Sequence, residues 1–150
     1  MRQLHGTAET TVAASVEKCV AFLAAVDRYP DWYPEVVKDV SVLEQEPDGR
    51  PRLVRTKLHV KVGPVARDFE LVMAVDLHAP GTVALTKRGG SEQQFDVTWL
   101  ARGGKQTRLE VELSAALNVP RVMPLGDVGN SVASGFIEAA SRQLDSEEAE

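Results

Sequence analysis

From Lys38 to Asn118 apolar and polar residues alternate, run after run, and short turn compositions cut the runs apart. Between residues 66 and 78 the odd positions are Phe69, Leu71, Met73, Val75 and Leu77, while Asp68, Glu70, Asp76 and His78 hold even ones. A period of two sends neighbouring side chains to opposite faces, so such a run folds as a strand with one covered and one wet face. The cuts are "EPDGRP" (46–51), "GP" (63–64), "APG" (79–81), "RGGSE" (88–92) and "RGG" (102–104). Glycine and proline there favour tight turns over continued pairing. They predict six strands, at about 38–45, 52–62, 66–78, 82–87, 93–101 and 105–117, joined as an antiparallel meander.

Parity then assigns the inner face. Val54, Thr56, Leu58, Val60 and Val62 go in, and Arg55, Lys57, His59 and Lys61 go out. Phe95, Val97 and Trp99 go in, as do Leu109, Val111, Leu113 and Leu117, while Arg108, Glu110 and Glu112 go out. A tight turn at Gly63–Pro64 predicts a register with Leu58 opposite Phe69, Lys57 opposite Glu70 and His59 opposite Asp68. Arg67 and Glu44 share the inward parity but sit at strand ends, where they read as rim charges.

Outside the meander, residues 3–14 are threonine-rich and roughly alternating, which predicts a first strand. Residues 15–26, "SVEKCVAFLAAV", predict a helix. Ser15 suits its N-cap, Glu17 its first turn, and Val16, Cys19, Val20, Leu23 and Val26 recur on one face. Then comes "DRYPDWYPEV" (27–36), which holds three of the chain's few aromatics. A residue before proline is biased away from helix, so this segment predicts at most a short turn. After a proline-bearing loop, residues 127–144 predict a helix with a stripe of Val132, Phe136, Ala140 and Leu144, followed by a charged tail at about 145–150. That helix is rich in small residues: Gly129, Ser131, Ala133, Ser134, Gly135 and Ala139. Helical glycine costs about 1 kcal/mol relative to alanine. Its presence points either to close helix–sheet packing or to space left open beside the helix.

Several classes fall away on composition. A net charge of −5 does not fit a nucleic-acid binder, which usually carries a basic patch. Cys19 is the one cysteine, so no intrachain disulfide forms and no cysteine zinc site can be built. His5, His59 and His78 have outward parity, and their spacing gives no metal cluster. No run of about 18 apolar residues suggests a membrane span, and no apolar leader opens the chain. The expected compartment is the cytoplasm, and no cofactor or metal is expected. Cys19 lies on the apolar face of its helix, which reads as structural rather than nucleophilic. The "RGG" stretches lack a strand–loop–helix setting and read as hairpin turns.

Element order and the segment "AASVEKCVAFLAAVDRYPDWYPEV" (13–36) resemble the START-like (SRPBCC) superfamily, and within it the polyketide cyclase/dehydrase branch. Asp27, Tyr29, Pro30 and Trp32 match that branch's aspartate, aromatic–proline pair and tryptophan. The resemblance covers essentially all of residues 1–150 as a single domain. It implies an α+β helix-grip fold: a seven-stranded antiparallel sheet curled around a long C-terminal helix, with a deep apolar cavity between them. Members bind lipids, sterols, polyketides, quinones or hormones, and some catalyse cyclisation or dehydration. On that resemblance the expected ligand-binding residues are Tyr29, Trp32 and Tyr33 at the mouth. Thr56, Leu58, Phe69, Leu71, Met73, Leu85, Phe95, Val97, Trp99 and Leu113 are expected on the sheet wall, and Met123, Val132 and Phe136 on the helix side. Trp32 reads either as a plug in the end of the core or as a lid, and the two roles are compatible.

No acid–base pair or nucleophile appears among the inward residues, so no catalytic residue is assigned. Three functions stay open: a carrier of a small hydrophobic ligand, a cyclase-like enzyme, and a partner-binding, chaperone-like protein. The last would need an exposed apolar patch. Leu53, Val72 and Ala74 offer only a weak one, suited to a monomer or a weak homodimer.

Overall fold

The computed structural model describes residues 2–62, 64–78, 80–89, 92–103, 106–117 and 127–149. The elements are β1 (Arg2–Val12), α1 (Val16–Ala24), a 3₁₀ turn (Val26–Arg28), α2 (Tyr29–Trp32), β2 (Val37–Gln45), β3 (Pro51–Val62), β4 (Val65–His78), β5 (Thr82–Lys87), β6 (Gln94–Arg102), β7 (Thr107–Leu117) and α3 (Val128–Ala149). The seven strands form one antiparallel sheet in the order β1-β7-β6-β5-β4-β3-β2. β1 thus extends the meander by pairing with β7, and β1 and β2 form the sheet's two edges. This is the α+β arrangement that the alternation and the resemblance predict.

The β3–β4 register is the predicted one: Lys57 faces Glu70, Leu58 faces Phe69 and His59 faces Asp68. The two outward pairs differ in use. His59 Nδ1 lies 2.6 Å from Asp68 Oδ1, whereas Glu70 takes its ion pair diagonally, from Arg55 at 3.4 Å. Val54, Leu58, Val60, Phe69, Leu71, Met73 and Val75 are all buried on the inner face. Glu44 and Arg67 are exposed despite their parity. A register irregularity between Val42 and Glu44 turns Glu44 outward to pair with Arg52.

α3 lies along β1 and β7 rather than across the whole sheet. Its small residues are explained by close approach. A Cβ added to Gly129 would sit 2.2 Å from the His5 carbonyl oxygen, so helix and strand backbones meet directly there. Asn130 Oδ1 accepts from Thr7 N at 3.2 Å, and Asp145 Oδ1 accepts from Ala13 N at 3.2 Å. The helix therefore covers an edge strand whose outer amides would otherwise invite another chain.

Two boundaries differ from the sequence reading. α3 continues through the charged segment to Ala149, since glutamate and alanine are good helix formers and no breaker intervenes. Tyr29 is helical (φ −54°, ψ −39°) although Pro30 follows it. The pre-proline bias is a preference, and packing overrides it: Tyr29 is 2% exposed and its hydroxyl donates to the Leu23 carbonyl at 2.6 Å. Pro30 sits in the first turn of α2, where its missing N–H would have had no helical partner.

Candidate functional site

Six of the chain's eight aromatics come together, three from residues 29–33 and three from distant segments. Phe22 comes from α1, Tyr29 and Trp32 from α2, Tyr33 from the residue after it, Trp99 from β6 and Phe136 from α3. Phe136 is the hub. Its ring centroid lies 4.5 Å from Tyr33, 5.6 Å from Trp99, 5.9 Å from Tyr29 and 6.0 Å from Trp32. Trp32 in turn packs 5.1 Å from Phe22 and 4.7 Å from Tyr29. Most of these pairs are tilted or edge-on, the arrangements that ring quadrupoles favour. Gly135 makes room for one of them, because a Cβ there would lie 2.3 Å from the Tyr33 hydroxyl.

The polar atoms of the cluster fall into two groups. Both phenols are committed: Tyr29 to Leu23 O, and Tyr33 to Val132 O at 3.1 Å. Burial pushes the Tyr29 phenol far above its ordinary value, and a hydrogen bond with the Trp99 side chain opposes the shift. Burial pushes Tyr33 up to about 12, and the carboxylates of Glu35 and Glu138 add to it. Neither phenol is a base at neutral pH. The indole of Trp32 is the opposite case: its Nε1 is buried and meets no acceptor, whereas the Trp99 indole leans on the Tyr29 phenol.

The expected site residues are distributed as follows. Leu58, Phe69, Leu71, Met73, Leu85, Phe95, Val97 and Leu113 are buried in the same core as the cluster. Thr56 is buried too, but its hydroxyl donates to the Leu71 carbonyl at 3.0 Å, so it is not free to recognise a ligand. Val132 is half-buried, and Met123 lies outside the described residues. Trp99, expected on a cavity wall, is 0% exposed and packed edge-on against Phe136. Trp32, read as a plug or a lid, is 9% exposed and packed among rings. Among the described residues, aromatic side chains occupy the space between α3 and the sheet around Phe136. Phe22 was missed, because its position on α1 falls outside the apolar stripe and only the fold brings it to Trp32.

The cluster reaches the surface at Trp32. One cleft beside it, of about 570 Å³, runs past Phe22 and Leu144, and another, of about 590 Å³, past Tyr33 and Glu138. Thr107 is the other buried polar residue, and its hydroxyl bonds to the Ala14 carbonyl. Among the described residues no group of three or more His, Cys, Asp or Glu side chains could hold a metal.

Residues 12–141 match the family model described as polyketide cyclase / dehydrase and lipid transport. The chain belongs to that family. Its START-like fold is matched by a START superfamily protein from Mycobacterium smegmatis, with 21% identity, a TM-score of 0.72, and 96% of this chain and 97% of that one covered. A protein from Thermus thermophilus gives a TM-score of 0.73 at 13% identity, covering 95% of this chain and 98% of its own. The di-domain ARO/CYC BexL from the BE-7585A biosynthetic pathway gives a TM-score of 0.66 at 12% identity. This chain spans 50% of BexL, with 95% of itself covered. No curated protein matches. As a polyketide cyclase/dehydrase and lipid transport family member, the protein has a ligand-binding or cyclase-like role. Among its described residues no helix is long and apolar enough to cross a membrane.

Proposed function

We propose that this protein binds a small hydrophobic ligand of the lipid, polyketide or quinone class between the sheet and α3, admitted beside Trp32. The observation that carries this reading is the orphan indole donor of Trp32, packed against Phe136. A buried N–H without an acceptor costs about 1–3 kcal/mol, and native structures seldom leave one unpaired. An apolar molecule with an acceptor oxygen would satisfy it while the rings part around its body. Family membership supports the same reading, and the two clefts flanking Trp32 give the cluster a route to solvent.

Binding is favoured over catalysis. The buried hydroxyls of Thr56, Thr107 and Tyr29 all serve backbone carbonyls, and the phenols are held neutral. Among the described residues that leaves no positioned acid or base in the interior. The protein would act in the cytoplasm as a monomer or weak homodimer.

The test uses the two tryptophans as probes. Titration with an apolar panel (fatty acids, ubiquinone analogues, aromatic polyketide mimics) should shift or quench their emission and raise the melting temperature. A ligand confined to the native state adds about 2.7 kcal/mol at a hundredfold excess over its Kd. Trp32→Phe and Trp99→Phe should each remove part of the optical signal. If no member of the panel moves either emission or melting, the interior is only a packed core and the reading fails.

A further inference from the structure

Two features lie outside the interior. One is a cleft of about 800 Å³ under α1, walled by the β2–β3 and β4–β5 turns and lined by Val16, Val20, Pro51 and Pro80. The other is the tip of the β3–β4 hairpin, and its charge pattern selects a partner. From Gly49 to Arg67 the chain carries six lysines or arginines and no acidic residue, although its net charge is −5. The cations farther from the turn are matched. Arg50 lies 4.0 Å from Glu46, Arg52 pairs with Glu44, Arg55 lies 3.4 Å from Glu70, and Lys57 faces Glu70 across the ladder. Lys61 and Arg67 are not matched. They face Ala66 and Val60, both are exposed, and among the described residues neither makes an ion pair.

The tip also stands clear of the sheet. β2 follows β3 only as far as His59, whose N–H donates to Val36 O at 2.7 Å, and β5 joins β4 only from Met73. Among the described residues, 60–62 and 65–67 therefore find strand partners only in each other. Val60 is buried where the hairpin leaves the core, but Pro64 and Ala66 are exposed and Val65 is half-buried. Between Lys61 and Arg67 the sequence is "VGPVA", without one polar side chain. Alternation puts Lys61 on the outer face of the ribbon and Arg67 on the inner one. An apolar tip is thus bracketed by a free cation on each face. Strand direction sets it at the end of the sheet opposite Ala13, where Asp145 and the acidic end of α3 lie.

These features choose among anionic partners. A nucleic acid is held by many phosphate contacts, and two free cations supply few. A stable protein contact buries about 800 Å² per partner, more than a two-stranded tip offers. A bilayer needs neither. Its anionic headgroups attract each nearby lysine or arginine, and its interface takes up short apolar side chains beside the cations' own methylene stems. We propose that the tip of the β3–β4 hairpin docks the protein on an anionic lipid surface. Pro64, Val65 and Ala66 enter the interface, and Lys61 and Arg67 meet the headgroups. The acidic end of α3 then points away from the bilayer. This surface stands independently of what the interior binds.

The experiment is cosedimentation with vesicles of phosphatidylcholine alone, or of phosphatidylcholine and phosphatidylglycerol in equal parts. The protein should bind the mixed vesicles, and bind phosphatidylcholine alone about tenfold more weakly or worse. Lys61→Gln and Arg67→Gln should each weaken binding to the mixed vesicles about fivefold, the share of one cation near an anionic surface. Arg102→Gln, the same loss of charge at the other end of the sheet, should leave it unchanged. Cys19 is buried, so a nitrobenzoxadiazole label on Ala66→Cys reports the tip alone. Its emission should shift to the blue on the mixed vesicles, and the same label on Ser146→Cys, near the far end of α3, should not shift. All five substituted positions are exposed, so lost binding is not lost folding. The proposal is overturned by no binding to the mixed vesicles, by equal binding to phosphatidylcholine alone, by full binding in both tip variants, or by an unshifted Ala66 label on bound protein. Equal weakening in Arg102→Gln would reduce the effect to overall charge and overturn it as well. A protein that passes these tests while the apolar panel moves neither tryptophan emission nor melting would keep the docking surface and lose the interior reading.

Discussion

The aromatic cluster around Phe136 and the cleft under α1 begin from the same material, apolar side chains left facing one another by helix and sheet, and end differently. Around Phe136 the facing residues are large rings, and glycine at position 135 lets one of them in, so the space closes. Under α1 the helix offers valine and alanine against prolines and short turns, so the space stays open. Each region keeps an unpartnered N–H donor: the Trp32 indole in the first and one guanidinium nitrogen, Arg50 Nε, in the second. The difference teaches that apolar patterning selects which surfaces meet, while side-chain size decides whether they touch.

Phe136→Ala should break the comparison most strongly. Its ring touches four others, so truncation should cost about 3–5 kcal/mol, read as a lowered denaturation midpoint. A loss below about 1 kcal/mol would mean that Phe136 already borders open space and that the cluster resembles the cleft after all.

Much of this contrast was legible in the sequence, and part was not. The β3–β4 register follows from alternation plus a two-residue turn, because slipping one strand by one residue would put Leu58 and Phe69 on opposite faces. The stripe on α1 was legible as apolar. Periodicity does not tell whether a partner covers it, and the structure divides Cys19 and Leu23 from Val16 and Val20. The cluster was the least legible. Parity placed Trp99 inward, but its packing on Phe136 joins residues from distant segments, and no local pattern encodes that. Nor could sequence show that Tyr29 stays helical before Pro30, since a buried ring and one hydrogen bond outweigh a local preference.

Tyr33 offers an intermediate test of how closed the cluster is. Tyr33→Phe removes the bond to Val132 O and should cost about 1 kcal/mol at neutral pH. The pH dependence has a definite sign. The folded pKa of about 12 lies above the ordinary tyrosine value of about 10. Folding therefore favours the neutral phenol. Its contribution is complete below pH ~10 and is lost as pH climbs from ~10 through ~12. Alkaline unfolding followed by phenolate absorbance should show this fall in the native sequence. The fall should be smaller in Tyr33→Phe, where Tyr29 alone remains. Early, free titration of Tyr33 would mean that water already reaches the cluster.

The smallest expected effect sharpens the comparison from the other side. Arg50→Met keeps an unbranched stem and removes the guanidinium. The change loses a 4.0 Å ion pair with Glu46, both side chains being about a third exposed. A pair of that kind is worth at most a few tenths of a kcal/mol. It also removes a buried donor without an acceptor, whose deletion stabilises by relieving desolvation. The two terms oppose each other, so stability should change by less than about 0.5 kcal/mol, with an unchanged m-value in urea. A loss above about 1 kcal/mol would make Arg50 a brace for the β2–β3 turn, and its orphan nitrogen would be a by-product of that role. A neutral or slightly stabilised variant would separate the two regions cleanly. Phe136 would be a residue on which the fold depends, and Arg50 one that the fold merely tolerates.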